Sequence, residues 1–168
     1  MRIYLDANVF VAAIERTDRP SKLVQELLKL GKANPGMLVS SELTLAELLV
    51  KPLQALSAGL NLPKDAGGSI VLTPGTLATL YCDLIEQGPG LEVVPVDRSI
   101  LILAAYRRAE DATIKLPDAI HLATAEQSQC SLVLSDDRKL RPSAQHGFSR
   151  VALNVASLEQ LLAKVASR

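Results

Sequence analysis

Aromatic residues are scarce in this sequence: they make up 3% of its 168 residues, and tryptophan is absent. A surface that stacks nucleic-acid bases on aromatic rings is therefore not expected. An excess of charge of one sign is also missing, since 18 basic and 18 acidic residues give a formal net charge of +0. Any contact with nucleic acid must then come from a local basic patch, because the chain as a whole provides no positive field.

Cysteine and histidine are rare as well, with two of each. Cys82 and Cys130 lie in or beside apolar runs, and the sequence has no Cys-x-x-Cys pair and no Cys/His cluster. This pattern favours buried, reduced thiols in a cytoplasmic protein over a disulfide or a zinc site. The N-terminus turns acidic too early for a signal peptide, and no apolar run approaches membrane-spanning length, so no membrane partner is expected.

Hydrophobic residues make up 48% of the chain, and its length suits one domain with a real core over residues 1–168. Short β-like runs alternate with longer helical runs, which predicts an α/β fold with a central parallel sheet wrapped by helices, in three layers α/β/α. The predicted strands are RIYL, MLVSS, LEVVPV, SLVLS and RVALN. The predicted helices cover residues 21–33, 42–53, 76–88, 97–111, 117–128 and 157–166. Residues 57–75 are rich in Gly, Pro and Ser, which is typical of a loop or an irregular insertion.

Acidic residues follow the predicted strands at the points where ligands bind in such folds, outside the carboxyl ends of the strands. Asp6 comes directly after the first strand, and Asp136 and Asp137 come directly after SLVLS. Asp118 lies at the head of a helix that leads into that strand, and Glu47 lies on the helix that follows MLVSS. Carboxylates from distant parts of the sequence are therefore expected at one edge of the sheet.

Each of these acids also has an ordinary structural interpretation. Asp6 can cap a helix that begins near Asn8, Asp118 can complement a helix dipole, and Asp136 and Asp137 can be turn residues. Glu47 follows Thr44 at capping-box spacing or faces water.

Taken together, however, acids crowded at one edge repel one another unless a cation neutralises them. Oxygen ligands favour Mg²⁺ or Mn²⁺ over zinc. Asn8 and Ser135 are polar residues suited to hydrogen bonding there, and turn or cap chemistry explains them equally well.

Five blocks of the sequence, in this order and spacing, resemble the successive motifs of a PIN domain. The blocks are IYLDANVFVAAIE, SSELTLAELLVKPL, EVVPVDRSILILAAYRRA, KLPDAIHLATA and LVLSDDRKL, and they span residues 2–140. The closest resemblance is to the VapC-like toxin ribonucleases of prokaryotic toxin–antitoxin pairs.

The resemblance implies an acidic site made of Asp6, Glu47, Asp118 and Asp137, which would be both catalytic and metal-binding. Ser135 takes the position of a family hydroxyl and Asn8 that of a small polar residue. Asp136 is an alternative to Asp137 as the ligand. Glu42 is a rival to Glu47, although its place in a first helical turn suits interaction with the helix dipole better.

The chemistry implied by the resemblance is hydrolysis of RNA phosphodiesters with one or two Mg²⁺ or Mn²⁺ ions. The metal would bind a phosphate oxygen, activate a water and offset charge on the leaving oxygen, while Glu47 binds metal or orients the water. No Ser/His pairing suggests a covalent nucleophile. His121 is expected to be a packed core residue rather than a catalytic base, and His146 carries no signal.

The partners implied are an RNA substrate, a cognate antitoxin protein and a second copy of the chain in a homodimer. The helical runs 21–33 and 42–56 are candidates to line an apolar antitoxin groove, although core packing explains them too. Segment 57–75 is longer than expected in a compact toxin. Basic candidates for contacts with the RNA backbone are Lys51, Arg107, Arg108, Lys115, Arg138, Lys139 and Arg141.

Three other readings of the sequence remain open. A haloacid-dehalogenase-like phosphatase also places an Asp after its first strand, but it needs a second Asp where this chain has Asn8. A receiver domain has an acidic pocket, but its acids occur in a different order. A non-catalytic PIN-fold module for RNA binding or assembly is a third alternative, and the presence of every acid argues against it.

Overall fold

The protein is described here by a computed structural model that covers residues 1–59, 73–88, 90–138, 140, 142 and 147–167. Its strands form one sheet in the order β3-β2-β1-β4-β5, and every neighbouring pair is parallel. The strands are β1 (Ile3–Leu5), β2 (Leu38–Ser41), β3 (Leu91–Val94), β4 (Leu132–Leu134) and β5 (Ser149–Val151). The helices are α1 (Ala7–Glu15), α2 (Arg19–Ala33), α3 (Glu42–Ser57), α4 (Pro74–Gln87), α5 (Arg98–Glu110), α6 (Leu116–Gln127) and α7 (Val155–Ala166).

Helices cover both faces of this sheet. Ile3 and Leu5 of β1 point into a core that is shared with α1, α2, α3, α4 and α7. Tyr4 points to the opposite face, where it packs with Leu122 of α6, and α5 packs against α6 on that side. The predicted α/β class with a central parallel sheet between helical layers is confirmed.

Helix capping explains where the elements begin. The sequence predicts a helix from residue 21, but α2 begins two residues earlier because the side chain of Asp18 accepts a hydrogen bond from the backbone N–H of Ser21. Proline at the second helical position, Pro20, is compatible with this start because its missing N–H would have no helical partner there. In the same way Asp97, the first residue of the predicted helix 97–111, is the N-cap of α5, because its side chain accepts a hydrogen bond from the N–H of Ile100.

Segment 57–75 is described only at its two ends. The helix α3 continues to Ser57, and α4 begins at Pro74 with Thr73 as its N-cap. The predicted loop or insertion is therefore wrong at residues 57, 74 and 75, which are helical because α3 and α4 extend into the segment. Its middle part, residues 60–72, lies outside the described residues, as do Lys139, Arg141 and His146. The single-domain assignment over residues 1–168 stays a prediction.

Both cysteines are free, but only Cys130 is buried, with 5% of its surface exposed, whereas Cys82 is partly exposed. Burial raises the pKa of the Cys130 thiol to about 11, which keeps it protonated at neutral pH. No helix in the described part of the chain is long and apolar enough to cross a membrane.

The sheet and α2 approach each other closely at a pair of glycines. A Cβ atom on Gly31 would lie 2.2 Å from Cδ1 of Leu38 in β2. Gly90, which precedes β3 and has φ +80°, faces the backbone of α2. A Cβ atom on Gly90 would lie 2.0 Å from the carbonyl oxygen of Gly31. The last turn of α2 can therefore pack against this edge only because both positions lack a side chain.

We expect Gly90→Ala to destabilise the protein more than Gly36→Ala. Both glycines have positive φ, which costs alanine about 1–2 kcal/mol at either position. A Cβ at Gly36 meets only the end of the Arg2 side chain at 3.8 Å, whereas at Gly90 it meets backbone and should cost about a further 1–3 kcal/mol. Urea unfolding of the two variants measures the difference, and equal free energies of unfolding would show that the close approach does not matter.

Candidate acidic site

Asp6 stands at the carboxyl end of β1, in the centre of the sheet. The pairing of Leu5 with Leu134 brings it beside Ser135, the residue that follows β4. Asp6 is 6% exposed, and its carboxylate accepts hydrogen bonds from the N–H of Ala7 at 2.7 Å, from Nδ2 of Asn8 at 2.5 Å and from Oγ of Ser135 at 2.6 Å. Asp6 caps α1, as the structural interpretation expected, and its carboxylate is also held by the side chains of Asn8 in α1 and of Ser135 after β4.

The two adjacent aspartates after β4 differ in their surroundings. Asp136 turns toward β5: its Oδ1 accepts from the N–H of Leu153 at 3.1 Å, and its own N–H donates to Oδ1 of Asn8 at 3.1 Å. The N–H of Asp137 donates to Oγ of Ser135 at 2.9 Å, and the charge of Asp137 acts on Asp118. These contacts agree with Asp137 rather than Asp136 as a member of the acidic site, which stays a prediction.

The helix α6 supplies Asp118 and His121 from one face. Pro117 lies at the start of the helix and Asp118 in its first turn. Residues three apart on a helix share a face, so His121 lies one turn below Asp118. Asp118 is half-buried, whereas His121 is 2% exposed.

Glu47 comes from α3, which follows β2 directly. Its side chain is 33% exposed, and Oε2 lies 2.9 Å from Nε2 of His121. Its rival Glu42 is exposed in the first turn of α3, as expected for a residue that complements the helix dipole. Ser41 occupies the N-cap position of α3 but makes no capping hydrogen bond with its side chain, because its Oγ contacts the Tyr4 hydroxyl instead.

Asp6, Glu47 and His121 each offer one ligand atom to a common space, and these atoms lie within 4.8 Å of one another. Nε2 of His121 is 3.8 Å from Oδ1 of Asp6. Behind the ring, Nδ1 of His121 is 2.7 Å from the hydroxyl of Tyr4, which lies 2.8 Å from Oγ of Ser41.

The charges at this edge perturb one another. Burial and the negative charge of Asp137 raise the pKa of Asp118, and Asp6 and Glu47 add to this effect, although His121 opposes it. Burial disfavours protonation of His121, but the hydrogen bond to Glu47 and the charges of Asp6, Glu47 and Asp118 outweigh it, so its pKa is raised. The site therefore carries an excess of negative potential that a cation would relieve.

The donor set fits a hard divalent cation. Asp6, Glu47, Asp118 and Asp137 interact electrostatically, and they supply carboxylate oxygens, which Mg²⁺ and Mn²⁺ prefer. In the described part of the chain, the compact group also contains one nitrogen that could bind a metal, Nε2 of His121, and this atom is hydrogen bonded to Glu47.

Sequence reasoning missed two residues at this site and misjudged one elsewhere. His121 is packed in the interior, as predicted, but its ring also contacts both Tyr4 and Glu47. For Tyr4 the sequence predicts only a place in the first strand and no contact with the site. The helical spacing of His121 from Asp118 is the signal that pointed to its proximity. Arg107 was a candidate for binding RNA, but its side chain is 3% exposed and pairs with Glu126, so it is unable to form part of an exposed basic surface.

The comparisons with known proteins agree with this architecture. The PIN domain family model matches residues 3–144. No curated protein sequence matches the chain significantly. Among solved structures, the DNA-bound VapBC from Salmonella typhimurium is 17% identical with a TM-score of 0.58, covering 92% of this chain and 99% of that one.

Two further structures are similar. FitAcB from Neisseria gonorrhoeae is 20% identical with a TM-score of 0.56, covering 88% of this chain and 95% of that one. VapC20 from Mycobacterium tuberculosis, described as a toxin that cleaves the sarcin-ricin loop, is 14% identical with a TM-score of 0.54, covering 78% of this chain and 86% of that one.

These structures share the fold, and the family model spans nearly all of the sheet together with the strand ends that carry the acids. The chain belongs to the PIN domain family.

Proposed function

We propose that this protein is a metal-dependent endoribonuclease that hydrolyses RNA phosphodiesters and acts as the toxin of a toxin–antitoxin pair. The observation that carries the proposal is the meeting of side chains from β1, α3 and α6 at one edge of the sheet, where ligand atoms of Asp6, Glu47 and His121 lie within 4.8 Å of one another. The charges of Asp137, Asp6 and Glu47 also act on Asp118, whose pKa is raised mainly by burial. Such crowding lowers stability unless a cation is bound, so it favours a site whose purpose is to hold one.

Mg²⁺ or Mn²⁺ bound there would supply Lewis acidity toward a phosphate oxygen and would make water a better nucleophile at neutral pH. Asp6, Asp118 and Asp137 are the residues proposed to hold the ion, with Glu47 as a further ligand or as the group that orients water. Ser135 and Asn8 keep the Asp6 carboxylate in place through their hydrogen bonds.

The exposed cations closest in sequence to these acids are suited to hold an RNA backbone. Lys51 lies four residues after Glu47 on α3, Lys115 is the N-cap residue of α6, and Arg138 follows Asp137 directly. Lysine and arginine bind phosphates without reading sequence, which compensates for the scarcity of aromatic residues. Cleavage of the sarcin-ricin loop is described for the similar VapC20.

The partners proposed are an antitoxin and a second copy of the chain. The similar structures include VapBC and FitAB assemblies, some of them bound to DNA. Large apolar side chains are exposed in two regions, one on α3 and α4 and the other on α5 and the start of α6. The residues are Val50, Leu53, Leu56, Leu80, Leu101, Ile102, Tyr106 and Leu116. In the described part of the chain, α2 has no exposed large apolar side chain.

The groove proposed for the antitoxin is accordingly better placed on the 42–56 run than on the 21–33 run. Exposed apolar surface of this kind marks association sites in proteins. A non-catalytic PIN-fold module is the second candidate function, and the full set of acids weighs against it. The phosphatase and receiver alternatives are set aside because the chain belongs to the PIN family.

We expect the purified protein to cleave RNA with Mg²⁺ or Mn²⁺ and to lose this activity in EDTA. Asp118→Asn should lower the cleavage rate more than about 100-fold, since even groups outside the first shell of a metal contribute about 10–100-fold. Asp83→Asn, at an exposed position of α4, is the matched control and should cleave normally. A folded wild-type protein, free of antitoxin, that leaves a broad RNA panel intact with either metal contradicts the enzyme assignment.

Without metal, Asp118→Asn should be at least as stable as the wild-type protein, because it removes one of the repelling charges. With Mn²⁺ at 100 times its Kd, the wild-type protein should gain about 2.7 kcal/mol of stability and the variant less. Thermal unfolding with and without Mn²⁺ measures both effects, and Asp83→Asn should behave like the wild type. A variant that gains as much from Mn²⁺ as the wild type would remove Asp118 from the metal site.

Expression of the protein should arrest growth, and a small protein encoded beside its gene should relieve the arrest and co-purify with it.

Leu53→Lys and Ile102→Lys alter the two exposed apolar regions without touching the core, so each is expected to weaken association with the antitoxin or with the second copy. Light scattering and co-purification provide the readouts. If both variants keep the wild-type mass and the wild-type partner, the apolar regions are not interfaces.

A further inference from the structure

A buried hydrogen-bond network leads from the interior of the sheet to the acidic site. It begins at Oγ of Ser41 and continues through the hydroxyl of Tyr4 at 2.8 Å to Nδ1 of His121 at 2.7 Å. It ends where Nε2 of His121 meets Oε2 of Glu47 at 2.9 Å. Ser41 and Tyr4 are fully buried and His121 is 2% exposed, so water has little access to any group except the carboxylate at the end.

At the Glu47 end of this hydrogen-bond network, the protons have one favourable arrangement. If the neutral ring carried its proton on Nδ1, the lone pair of Nε2 would face a carboxylate oxygen at 2.9 Å, and two acceptors would oppose each other. With the proton on Nε2 the ring donates to Glu47, and the doubly protonated ring donates to Glu47 as well. Nε2 of His121 is therefore a donor in each favourable form.

Tyr4 selects the tautomer of the neutral ring. Burial is the main reason that the pKa of the Tyr4 hydroxyl is raised, so the hydroxyl keeps its proton and is able to donate it to Nδ1 of His121. The Tyr4 oxygen then accepts from the hydroxyl of Ser41. A ring whose Nδ1 accepts a hydrogen bond carries its proton on Nε2, which is the atom that faces Glu47.

We propose that His121 is a positioning residue, which donates a hydrogen bond from Nε2 to Glu47 under the control of Tyr4 and orients that carboxylate toward the cation site without binding the cation. This inference rests on the proposed function for the cation site itself. The 3.8 Å between Nε2 and Oδ1 of Asp6 fits this role, because the ring points at Glu47 and is beyond hydrogen-bond range of Asp6.

The position of the proton is measurable in the wild-type protein without any substitution. The chain has only two histidines, so long-range ¹H–¹⁵N correlations of the metal-free protein are readily assigned. We expect Nε2 of His121 to carry a proton. A neutral ring with its proton on Nδ1 overturns the inference.

The nature of the metal contact is measured on the wild-type protein with Mn²⁺ bound. Electron spin echo envelope modulation detects a ¹⁴N nucleus that is coordinated directly to Mn²⁺, and none is expected. Direct nitrogen coordination would make His121 a ligand and overturn the positioning role while leaving the proposed nuclease intact. Failure of the wild-type protein to bind Mn²⁺ overturns both proposals.

Variants separate positioning from simple packing. His121→Leu keeps most of the volume but no donor, and it should weaken Mn²⁺ binding about 10–100-fold by titration calorimetry. His121→Gln restores an N–H near the position of Nε2 and should recover most of that loss. Equal affinities of the Leu and Gln variants, both folded, would contradict a role for the donor.

Tyr4→Phe tests the control of the tautomer. It should weaken Mn²⁺ binding in the same direction as His121→Leu but less, and it should lower the fraction of His121 protonated on Nε2. The matched control is Tyr81→Phe, which removes another buried tyrosine hydroxyl, one that donates to Glu15, and should leave Mn²⁺ affinity unchanged. Identical Mn²⁺ affinities for Tyr4→Phe and the wild type would remove Tyr4 from the inference.

Discussion

The parallel register between β1 and β4 is the constraint on which the acidic site depends. Because Leu5 pairs with Leu134, the residues that follow these strands, Asp6 and Ser135, emerge side by side and share a hydrogen bond of 2.6 Å. A shift of the register by one residue would reverse which side chains face the core and would separate the two groups. The side chains of Ile3, Tyr4 and Leu5 pack alternately on the two faces of the sheet and thereby fix the register on which the polar site depends. Of these three residues, Tyr4 also contacts the site, through its hydroxyl.

Two opposing demands meet at this edge. The fold has to bring carboxylates together, although burial and neighbouring charges raise the pKa of Asp118 and thereby oppose its ionisation. Hydrogen bonds to Asp6 and the donor from His121 to Glu47 offset part of this penalty for two of the acids. Asp137 is exposed, and Asp118 and Glu47 are partly exposed, so water screens these charges in part. Asp6 is the most deeply buried of the four acids, and three hydrogen bonds stabilise its charge in place of water.

Local sequence patterns were sufficient to predict the sheet, six of the seven helices in the described part of the chain and the strand-end positions of the acids, because alternation of elements and capping residues are local properties. The short helix α1 was anticipated only as a helix that Asp6 could cap. They were not sufficient for the contact between Tyr4 and His121, which are 117 positions apart and meet only because α6 crosses the face of β1. Arg107 shows the same limit in the opposite direction: its charge suggests a surface residue, but packing between α5 and α6 buries it beside Glu126. Between Asp136 and Asp137 the sequence leaves a choice, and a contact far along the chain, from the N–H of Leu153 to Asp136, supports Asp137.

The sign of the potential at the site bears on the choice between a nuclease and a non-catalytic RNA-binding module. An RNA phosphate is negative, and four carboxylates at the head of α6 repel it at short range. Lys51, Lys115 and Arg138, which are exposed and close in sequence to these acids, would attract the backbone of the proposed RNA substrate. A module that only binds RNA would gain affinity by losing these acids. Their presence is favourable for an RNA-binding protein when a divalent cation lies between carboxylates and phosphate, and this is the arrangement that hydrolysis of a phosphodiester requires.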